Sequence, residues 1–314
     1  MNISICITVL NEEGSISSLL TSLINQSKKA DEIIVVDGGS TDKTIELIKH
    51  FQKKDRTIKL LTEKCNRAEG RNLGIEVAKS EIIAITDGGC LPNEDWLKKI
   101  TEPFKNDQVD VSAGFYKMVG KSNLQLAETI FLGVTSRRFN INFLPSTRSM
   151  AFRKTAWEAV GGFPEGHDNS AEDTDFNYKA TKLKLKYSRV KDAIVEWGMP
   201  ESMNDFFKKI QSYAKWDARY KIWWHPVQRY SSHNIKALFI ILRYIFGLLI
   251  LFFAFKYTFL FPILLLFILI YFFWAFRKVF AEFERVEVAI FGPLLQIVSD
   301  IAVISGFFFG ILGR

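Results

Sequence analysis

Over roughly the first two hundred residues, short apolar runs alternate with mixed segments of helical period. ISICITVL, EIIVVD, TIKLL and EIIAITD are nearly continuous apolar runs, as expected of strands buried on both faces. Between them lie amphipathic patterns. One runs from Asn11 through Ile24. STDKTIELIKHFQ opens on Ser/Thr capping residues, and AEGRNLGIEVAK precedes the fourth run. Strands alternating with amphipathic helices predict a βαβ series and a mostly parallel sheet with helices on its faces.

From Ala237 the pattern changes. The stretches 237–255 and 257–276 are apolar all round and separated only by Lys256. Each is close to the roughly 20 residues that cross a bilayer as a helix. A soluble helix keeps a polar face and these do not, so they read as transmembrane helices rather than buried core helices. In the first, Arg243 is expected to snorkel to the interface. In the second, Pro262 is expected to be tolerated because neighbours cover the freed carbonyl. The stretch 288–312 carries Pro293, Gln296 and Asp300 and is expected to span rather than re-enter. Asp300 is either a functional intramembrane acid or part of a re-entrant turn. Residues 201–224 place Met203, Phe206, Phe207, Ile210, Tyr213 and Tyr220 against a basic face, as an amphipathic interfacial helix does. The expected organisation is therefore a catalytic domain over 1–200, an interfacial segment over 201–236 and a multi-pass membrane region over 237–314.

Charge orients this arrangement. Lys208, Lys209, Lys215, Arg219, Lys221, Arg229 and Lys236 precede the first span. Arg277, Lys278 and Arg285 follow the second, and Lys256 alone lies between them. The positive-inside rule puts the N-terminal domain in the cytoplasm, at a cell (inner) membrane. MNISICITVL lacks the basic n-region of a signal peptide. Cys6, Cys65 and Cys90 show no disulfide spacing, and the four histidines show no zinc pattern. The net charge of +7 points to anionic lipid and phosphate substrates rather than nucleic acid.

In an open α/β sheet, ligands sit beyond the carboxyl ends of the strands. Asp37 and Asp87 end two of them, and NEE follows a third. The stretch TDGGC alone reads as a turn, but no alternating strand follows it to complete a hairpin. There is no G-x-G-x-x-G after the first strand and no G-x-x-x-x-G-K-[ST], which argues against a nicotinamide cofactor and a P-loop. What remains is a nucleotide site built from carboxylates and arginines, with a divalent cation between carboxylate and phosphates.

ITVLNEEG, EIIVVDGGSTDKT, NRAEGRNLG, EIIAITDGGCLPNEDWL, SMAFRKTAWEAVGGFPE and AEDTDFNYKATK occur in this order. In these motifs the chain resembles inverting glycosyltransferase family 2 over about residues 2–200. That resemblance implies the GT-A fold, a Rossmann-like, mostly parallel sheet with flanking helices, here followed by interfacial and transmembrane helices. It implies a UDP- or GDP-sugar donor and Mg2+ or Mn2+, with Thr8 and Glu12 lining the base and ribose pocket. Asp37 would hold the base or ribose, and Arg67 and Arg71 would reach the base or diphosphate. Asp87 would be the metal-binding first position of D-x-D. Glu172-Asp173 would be the catalytic pair, with Asp173 as base at a normal or slightly raised pKa.

The match departs from the pattern at Gly89, where the second D-x-D carboxylate is missing; the two glycines there would let backbone approach the diphosphate. Cys90 is expected to be a buried small hydrophobe rather than a ligand. QSYAKW offers Gln211, Lys215 and Trp216 for the processive Q-x-x-R-W element, with one extra residue and Lys for Arg, so processivity is not inferred. The acceptor is expected to be lipid-linked or a cell-envelope glycan. The alternative is a non-catalytic nucleotide-sugar-binding membrane scaffold with a degenerate metal site.

Overall fold

The computed structural model describes residues 1–165 and 171–313. In chain order the first half contains β1 (Ile3–Val9), α1 (Ile16–Ile24), β2 (Glu32–Asp37), α2 (Thr44–Lys54), β3 (Ile58–Thr62), α3 (Arg67–Val77), β4 (Ile82–Ile85), β5 (Cys90–Pro92), α4 (Trp96–Thr101) and β6 (Val111–Val119). The second half contains α5 (Asn123–Leu132), β7 (Met150–Arg153), α6 (Lys154–Val160), α7 (Glu172–Lys182), β8 (Tyr187–Gly198), α8 (Met203–Arg219), α9 (His233–Ala254), α10 (Leu260–Phe283), α11 (Val286–Ala289) and α12 (Gly292–Ile311). The chain forms two compact units, Met1–Lys117 with Phe139–Gly198, and Met118–Arg138 with Met199–Arg314.

The first unit holds an eight-stranded sheet of order β3-β2-β1-β4-β7-β6-β8-β5. The four apolar runs form its parallel half: β1 pairs with β2 and β4, and β2 with β3. β1, β2 and β4 are buried on both faces, as their continuous apolar character requires, whereas β3, at the sheet edge, is only partly buried. Beyond β4 the sheet is mixed, because β7 runs antiparallel to β4 and β6 antiparallel to β7. This is the GT-A architecture. A short strand does follow TDGGC, but β5 pairs antiparallel with β8 and not with β4, so no hairpin forms at Asp87. Residues 118–138, including α5, group with the second unit.

The second unit is helical, and three helices are long and apolar enough to cross a membrane: His233–Ala254, Leu260–Phe283 and Val286–Ile311. The third is not continuous, as α11 and α12 meet just ahead of Pro293, which sits in the first turn of α12 where its missing N–H costs nothing. Pro262 likewise lies in the first turn of α10, so there is no broken bond for neighbours to cover. Arg243 does not snorkel away. It pairs with Asp300, a fully buried acid within α12 that also accepts from Tyr244 (3.0 Å), Tyr271 (2.5 Å) and Gln296 (2.9 Å). Asp300 is thus in a continuous helix, tying α9 and α10 to α12. The apolar side of α8 is taken up inside the unit: Phe206 and Ile210 are buried, Phe206 sits edge-on to Phe131 of α5, and α8 lies against α12 at Gly306 and Gly310.

Candidate active site

The loops after β1 and β2 interlock. Asn11 N–H donates to Ser40 Oγ (2.8 Å), Thr41 N–H to Asn11 Oδ1 (2.9 Å) and Glu12 N–H to Thr44 Oγ1 (2.7 Å). Glu13 N–H donates to Asp42 Oδ2 (3.0 Å). NEE and GGSTDKT therefore act as one rigid rim at the carboxyl end of the parallel strands. Asp37 is fully buried, and its Oδ1 accepts from Gly39 N–H (3.0 Å) and Ser40 N–H (2.8 Å). Its Oδ2 and Thr8 Oγ1 are buried with no protein partner, an orphaned polar pair of the kind that a ligand completes.

Helix α3 begins with a capping box between Asn66 and Glu69. A Cβ on Gly70 would stand 2.6 Å from Thr8 Cγ2, so only glycine lets α3 lie this close to β1. That seating delivers Arg71, 2% exposed, to the centre of the site. Its Nη2 donates to Asp87 Oδ1 (2.5 Å) and Thr147 Oγ1 (3.2 Å), and its Nη1 to Glu172 Oε1. Thr147 Oγ1 in turn lies 3.2 Å from Asp87 Oδ2. One guanidinium thus joins acids that are 85 positions apart in sequence, at the end of β4 and the start of α7. Burial opposes charge on Asp87, but Arg71, Arg148 and Arg67 outweigh it and hold the carboxyl below the usual range. Burial likewise opposes the Arg71 charge, and Asp87 and Glu172 overcome it, so its pKa rises. Arg67 is exposed in the first turn of α3.

Ala171, just before the acids, sits in the left-handed region at φ 67°, a strained backbone for a residue with a Cβ. Glu172 and Asp173 then fall in the first turn of α7, where the helix dipole favours anions. Burial first and the Glu172 charge second push Asp173 up to about 6, further than the expected slight rise. Arg148 and a hydrogen bond from Ser146 work in the opposite direction.

Arg148 was not legible in the sequence. Its guanidinium lies 3.9 Å from the Trp197 ring centroid and 5.3 Å from that of Tyr116, and Nη1 donates to Ser146 Oγ (2.9 Å). The signal was an arginine just before the buried strand SMAF, in a segment with no helical period. Cys90 is buried, and burial together with Asp87 pushes its thiol up to about 12, which leaves it protonated and a poor metal ligand. Gly89 adopts φ +72°, a conformation that favours glycine. Among the described residues no group of three or more His, Cys, Asp and Glu is arranged to hold a metal.

The sequence and the fold are similar to those of known proteins. The glycosyl transferase family 2 profile matches residues 4–159. Glycosyltransferase AglE of Haloferax volcanii is 28% identical over 208 residues, 61% of this chain and 65% of its own length. The match thus spans less than two thirds of that relative. Among solved structures, a Pyrobaculum calidifontis mannosyltransferase in complex with GDP-Man and Mn2+ superposes with a TM-score of 0.55 at 18% identity, over 70% of this chain and 64% of that one. S. aureus TarS 1–349 with UDP-GlcNAc superposes with a TM-score of 0.53 at 20% identity, over 100% of this chain and 91% of that one. With its six motifs gathered on such a sheet, the chain belongs to glycosyl transferase family 2 and carries the GT-A fold.

Proposed function

We propose that this protein is a membrane-anchored inverting glycosyltransferase. It moves a sugar from a UDP- or GDP-linked donor to a hydroxyl of a lipid-linked or cell-envelope glycan acceptor. The observation that carries the reading is the buried Arg71 bridge between Asp87 and Glu172. Asp87 at the end of β4 and Glu172 at the start of α7 share this one guanidinium, which supports a diphosphate side and an acid side close enough for a single displacement at an anomeric carbon. The mannosyltransferase in complex with GDP-Man and TarS in complex with UDP-GlcNAc support the donor class.

The residues divide the work by their partners. Glu172 is bound by Arg71 and so serves to position rather than to accept a proton. Among the described residues Asp173 forms no such pair, and its raised pKa makes it a stronger base that is still ionised at neutral pH. It takes the proton of the acceptor hydroxyl as that oxygen attacks the anomeric carbon and the nucleoside diphosphate leaves from the opposite side. Thr8 Oγ1 and Asp37 Oδ2 receive the base or ribose, and the exposed Arg67 meets the diphosphate. Asp87 suits Mg2+ or Mn2+, which use one or two carboxylates together with substrate phosphates. Each of its oxygens keeps a lone pair beyond the bonds to Arg71 and Thr147. When bound, the cation offsets charge developing on the leaving diphosphate.

The lipid side of the reading rests on the three apolar helices. The basic flanks before the first and after the second favour a cytoplasmic catalytic unit against anionic lipid. The test is an assay of the full chain in mild detergent with a panel of UDP- and GDP-sugars and a lipid-extract acceptor, with Mg2+, with Mn2+ and with chelator. Asp87→Ala and Asp173→Asn run alongside. The expected result is metal-dependent turnover lost in both variants. Donor binding with no turnover on any acceptor would instead favour the non-catalytic scaffold.

A further inference from the structure

The Asp87-Gly88-Gly89 turn lacks a second carboxylate of its own, and another residue fills the space beside it. A Cβ built on Gly88 would stand 2.8 Å from Glu12 Oε1, 3.0 Å from Glu12 Cδ and 3.1 Å from its Cγ. A Cβ on Gly89 would stand 3.7 Å from Glu12 Oε2. Both carboxylate oxygens of Glu12 therefore border the two glycines that follow Asp87. Any side chain at position 88 would displace them.

We propose that Glu12 supplies, from the loop after β1, the second carboxylate toward the divalent cation in place of the one missing at position 89. The assignment rests on the nucleotide-sugar reading and departs from the resemblance, which gives Glu12 to the base and ribose; those contacts fall instead to Thr8 and Asp37.

Three features fit this role. The first is preorganisation. Glu12 N–H donates to Thr44 Oγ1 (2.7 Å), its carbonyl accepts from Ser15 N–H (3.0 Å) and Ile16 N–H (2.8 Å), and Ser15 Oγ donates to Oε2. The backbone is pinned at both ends and the carboxylate is held by a hydroxyl, which leaves its charge uncompensated. The second is charge. Among the described residues Glu12 forms no ion pair, whereas Asp87 has Arg71. A half-buried anion beside a second anion is favoured when a cation sits with both. The third is topology. β1 and β4 are hydrogen-bonded neighbours in the sheet, so the loops that leave their carboxyl ends start side by side. The two glycines then act as the recess that admits a carboxylate from the adjacent loop.

The experiment titrates Mn2+ into the full chain in detergent with UDP and, separately, with GDP, reading free Mn2+ by electron paramagnetic resonance. Nucleotide binding without metal is measured by calorimetry in parallel. Glu12→Gln is expected to weaken Mn2+ binding at least tenfold and leave metal-free nucleotide affinity within twofold. Adding Gly89→Asp to Glu12→Gln is expected to recover Mn2+ binding, because Asp tolerates a positive φ better than most residues. Unchanged Mn2+ affinity in Glu12→Gln overturns the assignment. So does a parallel loss of metal-free nucleotide binding, which makes Glu12 a ribose or base contact. Failure of Gly89→Asp to recover binding, with a lowered melting temperature in Glu12→Gln, also overturns it, as loop damage. If the unmodified chain binds neither nucleotide, with or without Mn2+, the functional reading falls together with this one.

Discussion

Arg71 sits between two carboxylates and contacts a third polar group, Thr147, at 2% exposure. Removing it takes from Asp87 and the buried Glu172 the cation that hydrogen-bonds to both. Arg71→Ala is therefore expected to cost roughly 3–5 kcal/mol, the usual penalty for breaking a buried pair, and to lower the detergent melting temperature. Arg71→Lys restores charge but not the two-ended fork, so it should recover only part of that loss. A wild-type melting temperature in Arg71→Ala would remove the bridge from the account.

Asp173 gives the opposite sign. Its folded pKa, about 6, lies above the ordinary carboxylate value, so the folded state favours the protonated form. Its contribution to stability is present at low pH and is lost as pH rises through about 6. Asp173→Asn should then stabilise the protein at pH 8, on the order of 1–2 kcal/mol, while abolishing turnover. The wild-type rate should fall tenfold per pH unit below about 6 as the base protonates, a limb that pH–rate profiles detect. A flat profile from pH 5 to 8 would exclude Asp173 as the base. The acids themselves were readable from EDTDF and TDGG. Their bridge was not, because a contact between positions 71, 87 and 172 is set by tertiary packing that no local period encodes.

At the scale of elements, α8 and α12 meet through backbone. A Cβ on Gly306 would lie 2.2 Å from Gln211 O, and one on Gly310 would lie 2.3 Å from Lys215 O. Small residues four apart let two helices approach this closely in an apolar environment. Gly306→Leu should therefore separate α8 from α12 and cost more than the same change at Gly247, whose added Cβ would meet nothing within 4 Å. Comparing the two variants by melting in detergent checks this, and equal losses would refute it. The amphipathic pattern of 201–224 was visible in the sequence, but it does not reveal what the apolar face meets. Phe206 and Ile210 look alike whether the cover is lipid or α12. The parallel strands were legible for the converse reason: continuous apolar runs of strand length admit few alternatives, and β1 to β4 follow them closely. The mixed half of the sheet, β5 to β8, was not, since its runs are short and its partners distant in sequence.

For the whole molecule, the composition change at Ala237 marks where the apolar helices begin but not where the compact units divide. Residues 118–138 leave the first unit and return, and α5 within them packs against α10, α11 and α12. Ala127, Ile130 and Leu132 of α5 are buried there, as is the carboxyl of Glu128, which burial pushes up to about 7. A chain cut at residue 200 keeps α5 but loses every one of those three helices. It then exposes a contiguous apolar face, which drives association. Such a 1–200 fragment is expected to elute as aggregates without detergent, although all six family motifs lie within it. Replacing 118–138 with a short glycine-serine linker removes that face and should yield a monomer that still binds nucleotide. Size-exclusion chromatography with light scattering separates the outcomes. A monodisperse, detergent-free 1–200 fragment would show that α5 needs no cover from α10, α11 and α12.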